Sequence, residues 1–139
     1  AVTAALLMVV MAPRQHVVWE NYSDQKVAEA KAQHKPILID FYADWCIPCH
    51  ELDASTYTDA QVIERLKNFT RLKVNMTNAD DPESEKIADQ FGIIGVPTIL
   101  FIGTDGKEVE SARTTGYVNP QEFIELLEAS DKLKTSAKS

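Results

Sequence analysis

A chain of 139 residues, 45% hydrophobic and 25% charged, has the size and make-up of one soluble globular domain with a real core. Its formal charge of −7, with no cluster of Lys or Arg to offset it, argues against a nucleic-acid partner. Only two cysteines are present, Cys46 and Cys49, which is too few for a disulfide framework and points to redox or metal chemistry instead.

The chain begins with an uncharged, apolar run, Ala1 to Pro13. It is too short to span a bilayer, which takes about 20 residues, and it lacks the basic start of a signal peptide. It reads as the end of a longer transmembrane helix in preference to an apolar tail that packs on the domain. Residues 1–16 are therefore set apart from a domain over 17–130 and from a polar tail over 131–139 that is expected to fray.

Val17 to Tyr22 reads as a short strand. Ser23 can cap a helix that runs to about His34, and Pro36 stops it. Ile37 to Ala43 is a continuous apolar run, as expected of a central strand covered on both faces, with one charge, Asp40, inside it. A helix starts at the cysteines and runs to about Ser55. Another follows from Asp59, with Val62, Ile63 and Leu66 on one face. Thr70 to Asn75 is a strand. Asp81-Pro82 opens a helix whose stripe is Ile87, Ala88 and Phe91 and which Gly92 ends. Thr98 to Ile102 is a strand, Thr104 to Lys107 a turn, and Glu108 to Thr114 a returning strand. Asn119-Pro-Gln-Glu122 is a capping box that starts the last helix, with Phe123, Ile124, Leu126 and Leu127 buried. Helices between strands require crossovers and a largely parallel centre, and the final hairpin adds an antiparallel edge. The fold class is α/β, a mixed sheet flanked by helices.

Two cysteines two residues apart at a helix start place both sulfurs on the first turn, where they can close a small disulfide and reopen it. Exchange needs one accessible thiolate. Cys46, at the helix N-terminus, is the candidate nucleophile, because free N–H groups favour the anion there. Cys49, one turn in and expected to be more buried, would resolve the mixed disulfide. Pro48 would be the third helical residue, still within the first turn, where no N–H partner is lost. Trp45 would shield the site.

Asp40 lies six residues before Cys46, and Asp53 four after Cys49, on the helix face shared by the sulfurs. Burial and like charge should raise the carboxylate pKa values, and the carboxylates should in turn oppose ionisation of Cys46. Asp40 is then a candidate proton acceptor for Cys49. Lys73 would pair with Asp40 if its strand lies alongside.

These residues resemble the thioredoxin superfamily. Asp40-Phe-Tyr-Ala-Asp-Trp-Cys-Ile-Pro-Cys49 is similar to its active-site motif, Gly95-Val-Pro-Thr98 to its cis-proline loop, and Lys73-Val-Asn75 to its third-strand signature. Tyr-Ala-Asp-Trp-Cys, the acidic Glu51 and Asp53, and Asn75 to Asp80 resemble most closely the C-terminal domains of DsbD-type thiol:disulfide interchange proteins, in which Asp53 can be a glutamate. The resemblance implies a thioredoxin-like fold over about Val17 to Glu128. It also implies a cis bond before Pro97 that leaves the Val96 backbone open to a partner strand. Substrate contacts would come from Trp45, Ile47, Pro48, Val96 and Pro97. The activity implied is protein-disulfide reduction with no cofactor beyond the Cys46–Cys49 disulfide. The partners implied are disulfide-bearing protein domains, namely the N-terminal and transmembrane domains of the same protein. The location implied is periplasmic, as a monomeric domain tethered to the bacterial inner membrane. A free-standing, membrane-anchored reductase and a redox-inactive binding module are the alternatives.

Competing readings of the motif are weaker. Cys46-Ile-Pro-Cys-His50 matches the attachment motif of c-type haem, but the strand-Asp-Trp context and the Gly-Val-Pro loop do not suit a haem pocket. A zinc site needs two further ligands, and His16 and His34 form no pair. The sequons at Asn21, Asn68 and Asn75 are of a kind that arises by chance. His50 and Glu51 read as helix-surface residues.

Overall fold

The strand Ile37–Tyr42 (β2) organises the molecule, and five of its six residues are fully buried. In the computed structural model, which describes residues 15–134, β2 pairs in parallel with Thr70–Asn75 (β3) and antiparallel with Thr98–Ile102 (β4). Two-residue edge strands, Glu20–Asn21 (β1) beside β3 and Thr114–Thr115 (β5) beside β4, complete a mixed sheet of order β1-β3-β2-β4-β5. Helices Asp24–Ala32 (α1) and Pro82–Phe91 (α4) contribute to one core. Helices Ala60–Leu66 (α3) and Pro120–Glu128 (α5) contribute to the other, while the short helix Ile47–Glu51 (α2) buries Cys49 in a small cluster with Ala43 and Cys46. The readings for residues 1–14 and 135–139 fall outside the described residues.

Strand periodicity explains why both faces are apolar. Ile37, Ile39 and Phe41 join Leu72, Val74, Leu100 and Ile102 in one core, while Leu38 joins Ile99, Phe101, Leu66, Phe123 and Leu127 in the other. Asp40 has the parity of Leu38, so a carboxylate points into the second core.

The predicted caps form. Ser23 and Asp81 each accept a first-turn N–H, and Asp59, read only as the start of a helix, does so too. Both halves of the Asn119/Glu122 capping box are present. Gly92 ends α4 at φ +67°, the left-handed conformation that glycine adopts without strain.

Four expectations need correction. The strand expected over Val17 to Tyr22 shrinks to Glu20–Asn21, because Val17 turns into the core and its N–H donates to the Tyr57 carbonyl at 2.8 Å. The helix from the cysteines becomes a π-helical turn at Leu52–Thr56, closed by the Tyr57 N–H on the Leu52 carbonyl at 2.8 Å. The returning strand is broken: Glu108 bridges Ile102, Glu110–Ala112 forms a 3₁₀ turn that buries Ala112, and pairing resumes only at Thr114. The tail expected to fray from residue 131 is ordered through residue 134. Asp131–Leu133 forms a capped 3₁₀ turn, the Lys132 carbonyl accepts from the Thr104 N–H at 3.0 Å, and Leu133 is buried in the second core. Gly103 permits this closure, since a Cβ there would lie 2.7 Å from the Lys132 Cβ.

Leu133→Ala should therefore destabilise the fold by about 2–4 kcal/mol, the usual range for emptying a buried leucine site. Urea unfolding measures it; a frayed tail would give no change.

Candidate functional site

Cys46 and Cys49 are joined in a disulfide where β2 passes into α2. Cys46 is the N-cap of α2 and its sulfur accepts the Cys49 N–H at 3.2 Å. A short polar donor is therefore already aimed at the sulfur that would carry the thiolate. Ile47 and Pro48 occupy the first two helical positions. Pro48 thus stands second rather than third, and its missing N–H is still one that the helix has no use for.

The two sulfurs are not distinguished by exposure. Cys46 is 3% and Cys49 4% exposed, so the expected contrast between an accessible nucleophile and a buried resolver is absent in this disulfide form. Ala43 lies in their cluster, and Tyr42 and Val96 pack against it. Trp45 projects from the surface. It is 66% exposed, and its indole N–H donates to the Thr77 carbonyl at 3.3 Å, which ties it to the segment after β3. His50 is exposed and its ring contacts the Asp44 carbonyl at 2.6 Å.

Asp40, on the strand that leads to the cysteines, is buried. Its Oδ2 accepts from the Tyr57 hydroxyl at 3.0 Å, while its Oδ1 is buried without a hydrogen-bond partner among the described residues. Burial raises the Asp40 pKa from its ordinary 3.8 to about 6, against the opposing pull of Lys73 and Tyr57 and with a smaller upward push from Asp53. Tyr57 is pushed well above its usual value, first by burial and then by the Asp40 charge.

Lys73 stands opposite Asp40 in the β2–β3 register, yet its ion pair goes to Asp53 Oδ1 at 3.2 Å. The expected Lys73–Asp40 pair is thus corrected to Lys73–Asp53, with Lys73 acting on Asp40 through space. Asp53 sits inside the π turn, four residues after Cys49. The burial that the expectation relied on applies to Asp40, since the Asp53 side chain is half exposed. Lys73 itself is nearly buried among the rings of Tyr42, Trp19 and Tyr57, at 4.6, 5.2 and 6.0 Å from their centroids.

The Val96–Pro97 peptide is cis. Val96 packs against the cysteine cluster, and among the described residues neither its N–H nor its C=O makes a hydrogen bond. Exposed apolar side chains surround it in sequence and on the cysteine turn: Ile94 is fully exposed, and Ile47 and Trp45 largely so.

Sequence reasoning missed Tyr57 and Ile94. No periodic signal marks Tyr57, because the π turn breaks the helical count. Ile94 could have been found as an apolar residue outside any element, next to the Gly95-Val96-Pro97 loop.

A cis-proline loop beside a Cys-X-X-Cys turn, on a sheet of this order, defines a thioredoxin-like domain. That family matches residues 23–130, and the chain belongs to it. Among curated proteins, the thiol:disulfide interchange protein DsbD of Pseudoalteromonas atlantica is 41% identical over 115 residues, 80% of this chain and 19% of that protein. DsbD of Yersinia pestis is 37% identical over 108 residues, 78% of this chain and 18% of that protein. The chain thus spans about a fifth of the length of these curated relatives. Among solved structures, the oxidised C-terminal domain of Neisseria meningitidis DsbD superposes with a TM-score of 0.63 at 28% identity, covering 79% of this chain and 98% of that one. Its reduced form gives 0.62 at 30% identity, covering 75% and 89%.

The Asp40 shift has a stability consequence. The folded state binds this proton more tightly than the unfolded chain, so the penalty is absent below the unfolded pKa and complete above the folded one. Relative to Asp40→Asn, the oxidised protein should lose roughly 2–3 kcal/mol as pH rises from about 4 to above 6, at 1.36 kcal/mol per pKa unit. Urea unfolding of both proteins across that range measures this; parallel pH curves would contradict it.

Proposed function

We propose that this chain is the thiol:disulfide-exchanging C-terminal domain of a DsbD-type protein, on the periplasmic side of a bacterial inner membrane. Its reduced Cys46/Cys49 pair takes electrons from cysteines of an adjoining membrane domain and passes them to an N-terminal periplasmic domain or other disulfide-bearing proteins. The observation that carries this reading is the Cys46–Cys49 disulfide on a helix-start turn beside cis-Pro97. The likeness to the Neisseria DsbD C-terminal domain over nearly all of that domain supports it. Among the described residues no helix is long and apolar enough to cross a membrane, so a membrane tether would lie elsewhere.

The chemistry follows from the geometry. A partner strand docks on the open Val96 backbone, with Trp45, Ile47, Pro48, Val96 and Pro97 as its contact surface. The Cys46 thiolate attacks the partner disulfide, a Cys46–partner S–S bond forms, and the partner's other sulfur leaves as thiolate. Cys49 gives its proton to Asp40 and its thiolate attacks Cys46. The Cys46–Cys49 bond closes and the partner's second sulfur leaves. The pair is oxidised by two electrons and the partner is reduced by two.

Asp40 and Asp53 restrain this site. Ionising Cys46 near two carboxylates costs more than its capping position alone would suggest, while Lys73 offsets part of their charge. Together with the near-complete burial of both cysteines, this limits reaction to partners that dock.

Two measurements test the reading. Cys49→Ser should accumulate a mixed disulfide with partner domains that Cys46→Ser does not form, and the wild-type pair should prove strongly reducing against glutathione. An oxidising equilibrium would reverse the direction of electron flow. Separately, a thiolate-absorbance titration should show the Cys46 pKa about one unit or more lower in Asp40→Asn/Asp53→Asn than in wild type. An unchanged value would remove the restraint.

A further inference from the structure

We propose that Tyr57 is a positioning residue for exchange: its hydroxyl grips Asp40 Oδ2, leaves Oδ1 as the open acceptor atom, and so sets the pH at which Cys49 resolves the mixed disulfide. The proposal rests on the reading above in which Asp40 takes the Cys49 proton.

Tyr57 is held from several directions. It follows the π turn, its N–H donates to Leu52, and its carbonyl accepts from Val17. Its ring meets Trp19 and Phe123 edge-on at centroid distances of 4.9 and 5.9 Å. It is 2% exposed, so the hydroxyl cannot rotate away to water. Packing alone needs only the ring, which a phenylalanine would supply. The hydroxyl adds one thing, a hydrogen bond of 3.0 Å to a carboxylate that is equally buried. Facing a carboxylate, a tyrosine hydroxyl donates.

That bond acts on both the direction and the protonation of Asp40. With Oδ2 occupied, Oδ1 is the atom left buried and unpartnered, which is the condition of a group ready to accept a proton. Donation to the charged form also favours the carboxylate and works against burial. The other groups bearing on Asp40 are Lys73 from β3, which favours its charge, and Asp53 from the π turn, which opposes it. Tyr42 on β2 feels the Asp40 charge in return. The cysteine pair follows at the end of the strand, and β4 faces Asp40 with the uncharged Ile99. Lys73 and Asp53 are already paired with each other, so Tyr57 is the neutral donor bonded directly to the carboxylate.

The test is Tyr57→Phe, which keeps the ring and removes the donor. Two readouts are needed: the Asp40 carboxyl midpoint from ¹³C NMR, and the pH profile of the second phase of release when the reduced protein reacts with an aromatic disulfide probe. That second phase follows Cys49 attack on Cys46. Both midpoints should rise by about one pH unit, the tenfold change expected for losing one hydrogen bond to a charged group. An unmoved Asp40 midpoint overturns the proposal, as does a loss of stability with both midpoints unmoved, which would make Tyr57 a packing residue only. Asp40→Asn separates the two failures. If it leaves the resolution profile unchanged, the role of Asp40 itself is wrong; if it shifts the profile and Tyr57→Phe does not, Tyr57 alone is wrong.

Discussion

One constraint shapes the site: a carboxylate is buried in a core that would otherwise be apolar. Asp40 has the strand parity of Leu38, so the sheet that buries Leu38 must bury Asp40 as well. An isolated charge there would be untenable. The fold meets it with a tyrosine hydroxyl at bonding distance and a lysine on the neighbouring strand, and it tolerates a carboxyl group that holds its proton until about pH 6. A group with that behaviour at neutral pH can take up a proton and release it, which a well-solvated aspartate does poorly.

The neighbouring features make sense as a response to that charge. Lys73 is kept nearly out of water by three aromatic rings and neutralised by Asp53, so its positive charge is held in place. The π turn links these parts. It carries Asp53 within it and delivers Tyr57 directly after it. Irregular turns of this kind are costly in a helix and are found where a side chain must be re-aimed.

At the end of the strand that carries the carboxylate, Tyr42 and Val96 pack against the disulfide cluster, with an unbonded Val96 backbone and exposed apolar side chains close by in the chain. The surface is inviting to a partner while the sulfurs are shielded from solvent. On the proposed reading, specificity comes from docking, because a small reagent gains nothing from the open backbone or the apolar rim.

Much of this was legible in the sequence, for physical reasons that are local. The caps at Ser23, Asp81 and Asn119 depend on a side chain and an N–H two or three residues on, so they could be read directly. The continuous run Ile37–Ala43 announced a doubly covered strand, and Cys46-Ile-Pro-Cys49 with Gly95-Val-Pro97 announced the chemistry. What the sequence left open depended on contacts between distant segments. Lys73 pairs with Asp53 and not with Asp40, a contact across 20 residues. Tyr57 became the partner of Asp40 across 17 residues. Leu133 and Ala112 were drawn out of polar surroundings into the core. The sequence by itself determined the central strands, the capped helices and the place of the cysteine pair, since those follow from spacing along the chain. Only the tertiary structure decided how the buried charge is held, because that depends on which side chains three separate segments bring to one carboxylate.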